Sequence, residues 1–113
     1  MKKIEAYVKS QRTWEVIELL HEIEGLTGVS ITGVKGFGRT RKKGESIHIV
    51  DTSIDQVSHV KIEIFCKDDV ADGVVAAIQR GAHTGLRADG KIYVSHIEDA
   101  IRISTGERGE NAV

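Results

Sequence analysis

The chain has 113 residues, a net charge of -1 and a hydrophobic content of 40%, which suits one compact domain and excludes a disordered chain. It has 12 glycines, no proline and one cysteine, so a polyproline linker, an internal disulfide and a cysteine-pair metal site are all excluded. No apolar run nears the ~20 residues of a membrane span, so a cytoplasmic domain without membrane insertion is expected, and the balanced charge argues against broad nucleic-acid binding.

Residues 2–9 alternate, with Ile4, Ala6 and Val8 on one side and Lys3, Glu5, Tyr7 and Lys9 on the other, the pattern of a half-buried strand. Thr13 is placed to cap a helix whose core stripe is Val16, Leu19, Leu20 and Ile23, closed by Gly25 and Gly28. Residues 29–35 alternate again. Residues 60–66 set Val60, Ile62, Ile64 and Cys66 against Lys61, Glu63 and Phe65. Asp68 or Asp69 caps a second helix striped by Val70, Val74, Ala77 and Ile78, with Gly81 or Gly85 at its end. Ile92 and Val94 mark a fourth strand. A short extended segment at 101–103 and a polar tail at 105–113 follow.

The order β-α-β-β-α-β predicts one α+β domain over 1–113, a ferredoxin-like sandwich with both helices on one face of an antiparallel sheet. The other face carries Lys3, Glu5, Tyr7, Lys61, Glu63 and Phe65. It is too polar for a second helical layer and too aromatic to be inert, so a second copy of the chain is expected to cover it. More than 20 residues separate strands two and three, a length that marks a functional loop in a compact domain.

Two segments have the chemistry of an anion site. The first is Lys35-Gly36-Phe37-Gly38-Arg39, whose glycines let the backbone approach an anion that Arg39 can neutralise. Between Lys35 and Glu45 five cations face a single acid. The second is Thr84-Gly85-Leu86-Arg87-Ala88-Asp89-Gly90-Lys91, a turn able to present N–H groups and an ammonium to phosphate. Taken singly, each is equally well read as a solvated basic loop or an ordinary Asp-Gly turn. The first is not a P-loop, for no Gly-Lys-Ser/Thr follows and the fold order is wrong. His21, His48, His59, His83 and His96 lack metal-ligand spacing, Cys66 reads as a buried thiol, and no paired-carboxylate or Ser/His/Asp arrangement supports catalysis. An acylphosphatase-like enzyme of the same fold would rest on Arg12 alone.

Together these segments resemble the PII nitrogen-regulatory signal-transduction family over nearly the whole chain. The resemblance rests on Met1-Lys2-Lys3-Ile4-Glu5-Ala6, Val34-Lys35-Gly36-Phe37-Gly38-Arg39, Val60-Lys61-Ile62-Glu63-Ile64, Asp68-Asp69-Val70, Thr84-Gly85, Asp89-Gly90-Lys91-Ile92-Tyr93-Val94, Ile101-Arg102-Ile103 and Thr105-Gly106-Glu107. It implies a non-catalytic homotrimer that binds ATP or ADP between subunits and reports the bound state to a target protein, such as a membrane transporter or a metabolic enzyme. The reporting element would be the loop 37–58, through Arg41, Lys42, Lys43, Glu45, His48 and Asp51. One side of the cleft would use Gly36, Phe37, Gly38, Arg39 and Thr40 with the phosphate loop 84–91, through Ala88, Asp89, Gly90 and Lys91. The neighbouring subunit would offer Gly28, Val29 and Ser30 to the base, with Glu63 nearby and Arg102 toward the phosphates.

The departures from the family pattern carry their own expectations. Thr40 stands where the family commonly has a Gln that helps to hold Mg²⁺ and 2-oxoglutarate, and His59 replaces the Lys that would pair the 2-oxoglutarate carboxylate. Leu86, Ala88 and Ser104 replace Lys, Gly and Arg, and no Tyr lies near the loop tip. The resemblance therefore implies nucleotide binding with fewer phosphate contacts, a weak Mg²⁺ and 2-oxoglutarate response and no tyrosine modification. ADP, AMP or another small anion such as bicarbonate is then the competing effector. A remote rival is RNA stacking on Tyr7 and Phe65 across the open sheet face.

Overall fold

The computed structural model describes residues 1–35 and 58–113. Gly36, Phe37, Gly38, Arg39, Thr40, Arg41, Lys42, Lys43, Glu45, His48 and Asp51 lie outside them.

Each strand forms where the alternation predicts it. β1 is Lys2–Lys9, β2 Ser30–Val34, β3 His59–Cys66 and β4 Gly90–His96. They make one antiparallel sheet in the order β2-β3-β1-β4, so β2 and β4 are its two edges. Helices α1, Thr13–His21, and α2, Asp68–Ala82, connect the strands. Both cover one face, where the aliphatic residues of β1 and β3 lie.

The core follows directly from the two periodicities. Ile4 and Ala6 of β1, Ile62 and Ile64 of β3, Val16 and Leu20 of α1, and Val74 and Ile78 of α2 are all fully buried. Each of the Val, Leu and Ile side chains contributes roughly 1.5–3 kcal/mol by leaving water. The two helices meet closely because Gly81 faces Val16: a Cβ there would sit 2.8 Å from the Val16 Cα. Arg12 seals the same contact, its Nε–H donating to the Gly81 carbonyl at 2.8 Å. Cys66 is buried and its thiol is pushed up chiefly by desolvation, as expected of a structural cysteine. Among the described residues, no helix is long and apolar enough to cross a membrane.

Several local readings are corrected by one or a few residues. Thr13 is the first residue of α1 rather than its cap; its hydroxyl donates backward to the Ser10 carbonyl at 2.8 Å, so it does not accept from the helix. The cause is a single 3-10 turn, Ser10–Arg12, that joins β1 to α1 without an intervening loop. Lys67, not Asp68 or Asp69, occupies the N-cap of α2, and both aspartates lie in its first turn, where their charge favours the helix dipole. Helix α1 stops at His21, ahead of Gly25, and α2 runs through Gly81 to Ala82. The segment 101–103 pairs only at Ile101, bridged to Arg108, and the tail folds back into a short 3-10 turn over Gly109–Ala112.

The uncovered face carries a small charge network. Lys3 Nζ lies 3.0 Å from Glu5 and 3.5 Å from Glu63, and Lys61 lies 4.0 Å from Glu63. Tyr7 donates its hydroxyl to Glu5 and meets the Tyr93 ring edge to face, centroids 6.2 Å apart. That hydroxyl, with Lys3 second, holds the Glu5 carboxyl below its ordinary value, and the same bond raises the Tyr7 phenol. A depressed carboxyl stabilises the fold above its unfolded value of about 4.5 and loses that contribution as pH falls through the lowered folded value. In Tyr7→Phe the Glu5 titration is expected to move up toward its ordinary value, read from the carboxyl carbon by NMR. An unmoved midpoint would show that the phenol does not hold this carboxylate.

Candidate functional site

The segment from His83 to Lys91 is shaped by one carboxylate. Asp89 Oδ2 accepts the N–H groups of Thr84 at 2.9 Å and Gly85 at 3.1 Å, while Oδ1 accepts the Thr84 hydroxyl. Lys9 Nζ approaches Oδ1 at 3.2 Å and also donates to Thr84 Oγ1 at 3.2 Å. Thr84 Oγ1 in turn accepts the Leu86 N–H at 3.1 Å. The Thr84 hydroxyl is the largest cause that drives the Asp89 carboxyl far below the usual range; the Thr84 N–H and Lys9 add to it. With both oxygens engaged, Asp89 closes a loop whose backbone would otherwise need water.

The end of the loop is equally constrained. Ala88 has φ 64 and Gly90 φ 101, left-handed conformations that cost a side chain on the order of 1 kcal/mol or more. At position 88 this chain bears the strain with Ala. At Gly90 a Cβ would land on the Tyr7 carbonyl oxygen, well inside contact distance. This backbone leads straight into β4, where Gly90 pairs with Val8 and Lys91 with Tyr7. Lys91 is exposed, on the same open face as Tyr7.

The other predicted residues fall into two separate groups. Ser30 pairs with Glu63 across β2 and β3, following Gly28 and Val29 in the chain. Arg102 sits beyond β4, where its guanidinium donates to the Asn111 carbonyl at 3.0 Å and lies 3.7 Å from Glu107. Lys91 is on the β4 edge and Ser30 on the β2 edge, so a single chain does not gather these residues into one pocket.

Sequence reasoning missed the residues beneath the loop. Lys9 was expected on the polar face, yet it is 4% exposed, because β1 ends there and its side chain turns into the loop. Lysine is almost never this buried unless paired, and nothing in the alternating pattern signals the pairing. Thr84 stands in the motif without an assigned role. His59 Nε2 lies 3.0 Å from the Ala88 carbonyl, and Ser10 donates its N–H to the Ser58 carbonyl at 2.9 Å. The end of β1, the start of β3 and the 84–91 loop are thus stitched together. Among the described residues no group of His, Cys, Asp and Glu could hold a metal ion.

Comparison with known proteins agrees along the full chain. Residues 1–107 match the family described as Nitrogen regulatory protein P-II. Proteins of that name from Bradyrhizobium diazoefficiens and Rhodospirillum rubrum are each 47% identical, and one from Azospirillum brasilense 42%, over 113 residues covering all of both chains. The crystal structure of Arabidopsis thaliana PII bound to citrate superimposes with a TM-score of 0.78 at 38% identity, covering 99% of this chain and 91% of that one. With the ferredoxin-like sheet order and these full-length matches, the chain belongs to the P-II nitrogen regulatory family of non-catalytic signal-transduction proteins.

Proposed function

We propose that this protein binds an adenine nucleotide, ATP or ADP and secondarily AMP, in clefts between three copies of itself, and regulates a transporter or metabolic enzyme through residues 37–58. The observation that carries this reading is the 84–91 loop: closed by Asp89, held left-handed at Ala88 and Gly90, and leading to the exposed Lys91 on the edge strand. An exposed ammonium at the rim of a loop held in a fixed shape suits a phosphate. The Asp89 side chain acts from beneath, as an acceptor already saturated by its own loop. Ser30 on the β2 edge, with Glu63 beside it on β3, suits the complementary wall supplied by a neighbouring copy.

Calorimetry with ATP and ADP on the wild type and on Lys91→Ala tests the reading. Micromolar binding is expected in the wild type, and Lys91→Ala should weaken it by more than about tenfold, or ~1.4 kcal/mol. No heat with either nucleotide would refute it. The second reading, a sensor of a small carboxylate or other anion, is favoured by one observation: the Arabidopsis relative was solved with citrate. RNA stacking has less support. Phe65 pairs with Lys3 and Tyr7 with Lys61, which sets the two rings four residues apart along the strands, about 13 Å, and Tyr7 already packs on Tyr93.

A further inference from the structure

We propose that Lys9 is the positioning residue of the 84–91 loop: its buried ammonium fixes Asp89 and Thr84 together, and through them sets the backbone that leads to Lys91. Three observations converge on this. The Lys9 side chain is 5% exposed, against 25% for Asp89, so the cation is the inner member of the pair and the loop closes over it. Its ammonium reaches Asp89 Oδ1 and Thr84 Oγ1, both at 3.2 Å. Those are the two side chains that collect the loop's own N–H groups, from Thr84, Gly85 and Leu86.

Without Lys9, Asp89 keeps its backbone donors but loses the link from its carboxylate to β1, so the 84–86 side of the loop loosens while the His59–Ala88 contact stays. Without Asp89, a buried ammonium is left with only a hydroxyl, a costly state in an interior. Removing either group, or both, therefore produces the same loosened loop, and the effects should not add. Among the described residues, the other titratable group facing Asp89 is His83, 3.7 Å from Oδ2 and largely exposed; its exposure leaves Lys9 as the partner that anchors the carboxylate to β1. Lys9 touches no ligand in this scheme. It acts through Asp89 and Thr84.

The nucleotide arm of the test rests on the function proposed above; the other two arms do not. Wild type, Lys9→Met, Asp89→Asn and the double variant are compared by amide hydrogen exchange at Thr84, Gly85 and Leu86, by NMR titration of the Asp89 carboxyl carbon, and by calorimetry with ADP. In Lys9→Met, exchange at these amides should rise about tenfold while the core amides of Ile4 and Ile62 stay protected. The Asp89 titration should move upward toward its ordinary value, a signature that a purely space-filling lysine would not produce. ADP affinity should fall by about tenfold in each single variant, the size typical of supporting-shell residues, and by no more in the double. If Lys9→Met fails to fold, Asp89→Asn, which keeps the shape and one acceptor oxygen, carries the exchange and ADP measurements. Unchanged exchange at Thr84 and Gly85, or ADP affinity within twofold of a binding wild type, overturns the proposal. A wild type that binds no ADP refutes the nucleotide reading instead, and exchange with the carboxyl titration then decides the role of Lys9.

Discussion

Gly90→Ala is expected to lower stability by on the order of 3 kcal/mol and the melting midpoint by more than roughly 10 °C. Two costs act together. The backbone at φ 101 is one that side chains rarely adopt, and the added methyl would fall on the Tyr7 carbonyl oxygen. That carbonyl belongs to β1, next to the Val8–Gly90 pair, so relief requires β4 to move away from the sheet at its first residue. The same movement would carry Lys91 out of register with Tyr7. Thermal unfolding measures the first effect, and ADP calorimetry on the folded fraction the second. A midpoint within about 2 °C of wild type would mean that the β1–β4 junction has slack the geometry does not show.

A matched pair on α2 tests the helix layer. Glycine to alanine in a helix interior ordinarily stabilises by about 1 kcal/mol. At Gly73 the new methyl meets open space, so Gly73→Ala should gain that amount. At Gly81 it meets the Val16 Cα at 2.8 Å, and its N and Cγ2 at 3.0 Å. Backbone atoms cannot swing aside as a side-chain end can, so Gly81→Ala must push the helices apart and should cost about 1–3 kcal/mol. The Arg12 bond to the Gly81 carbonyl would lengthen with it. Urea denaturation of both variants gives the comparison; shifts of the same sign would refute the close approach.

The sheet and both helices were legible because period-2 and period-3.6 patterns report burial directly. Ile62, Ile64 and Cys66 are buried, and Lys61, Glu63 and Phe65 face away, as alternation requires. Helix ends were less legible. Thr13 has the chemistry of a cap, but the 3-10 turn from Ser10 consumes the residue before it, and its hydroxyl serves that turn instead. The loop 84–91 could be seen as a candidate from its glycines and lysine. Its foundation could not. Lys9 and Asp89 are eighty residues apart in the chain, and only the pairing of β1 with β4 brings them together. The tail is polar in sequence, yet the Arg102 N–H donates to the Glu107 carbonyl at 2.9 Å, a local turn that no periodicity announces.

The open face of the sheet has one more consequence. Lys3, Lys61, Glu5 and Glu63 are already paired with one another within a single chain, and the Tyr7 hydroxyl is also taken. Phe65 and Tyr93 stand among them 44% and 54% exposed. That part of the face is neutral before anything touches it, with the exposed Lys91 at its β4 end. Whatever covers the paired part needs no compensating charge there, gains by burying aromatic and methylene area, and holds by contacts that salt screens little.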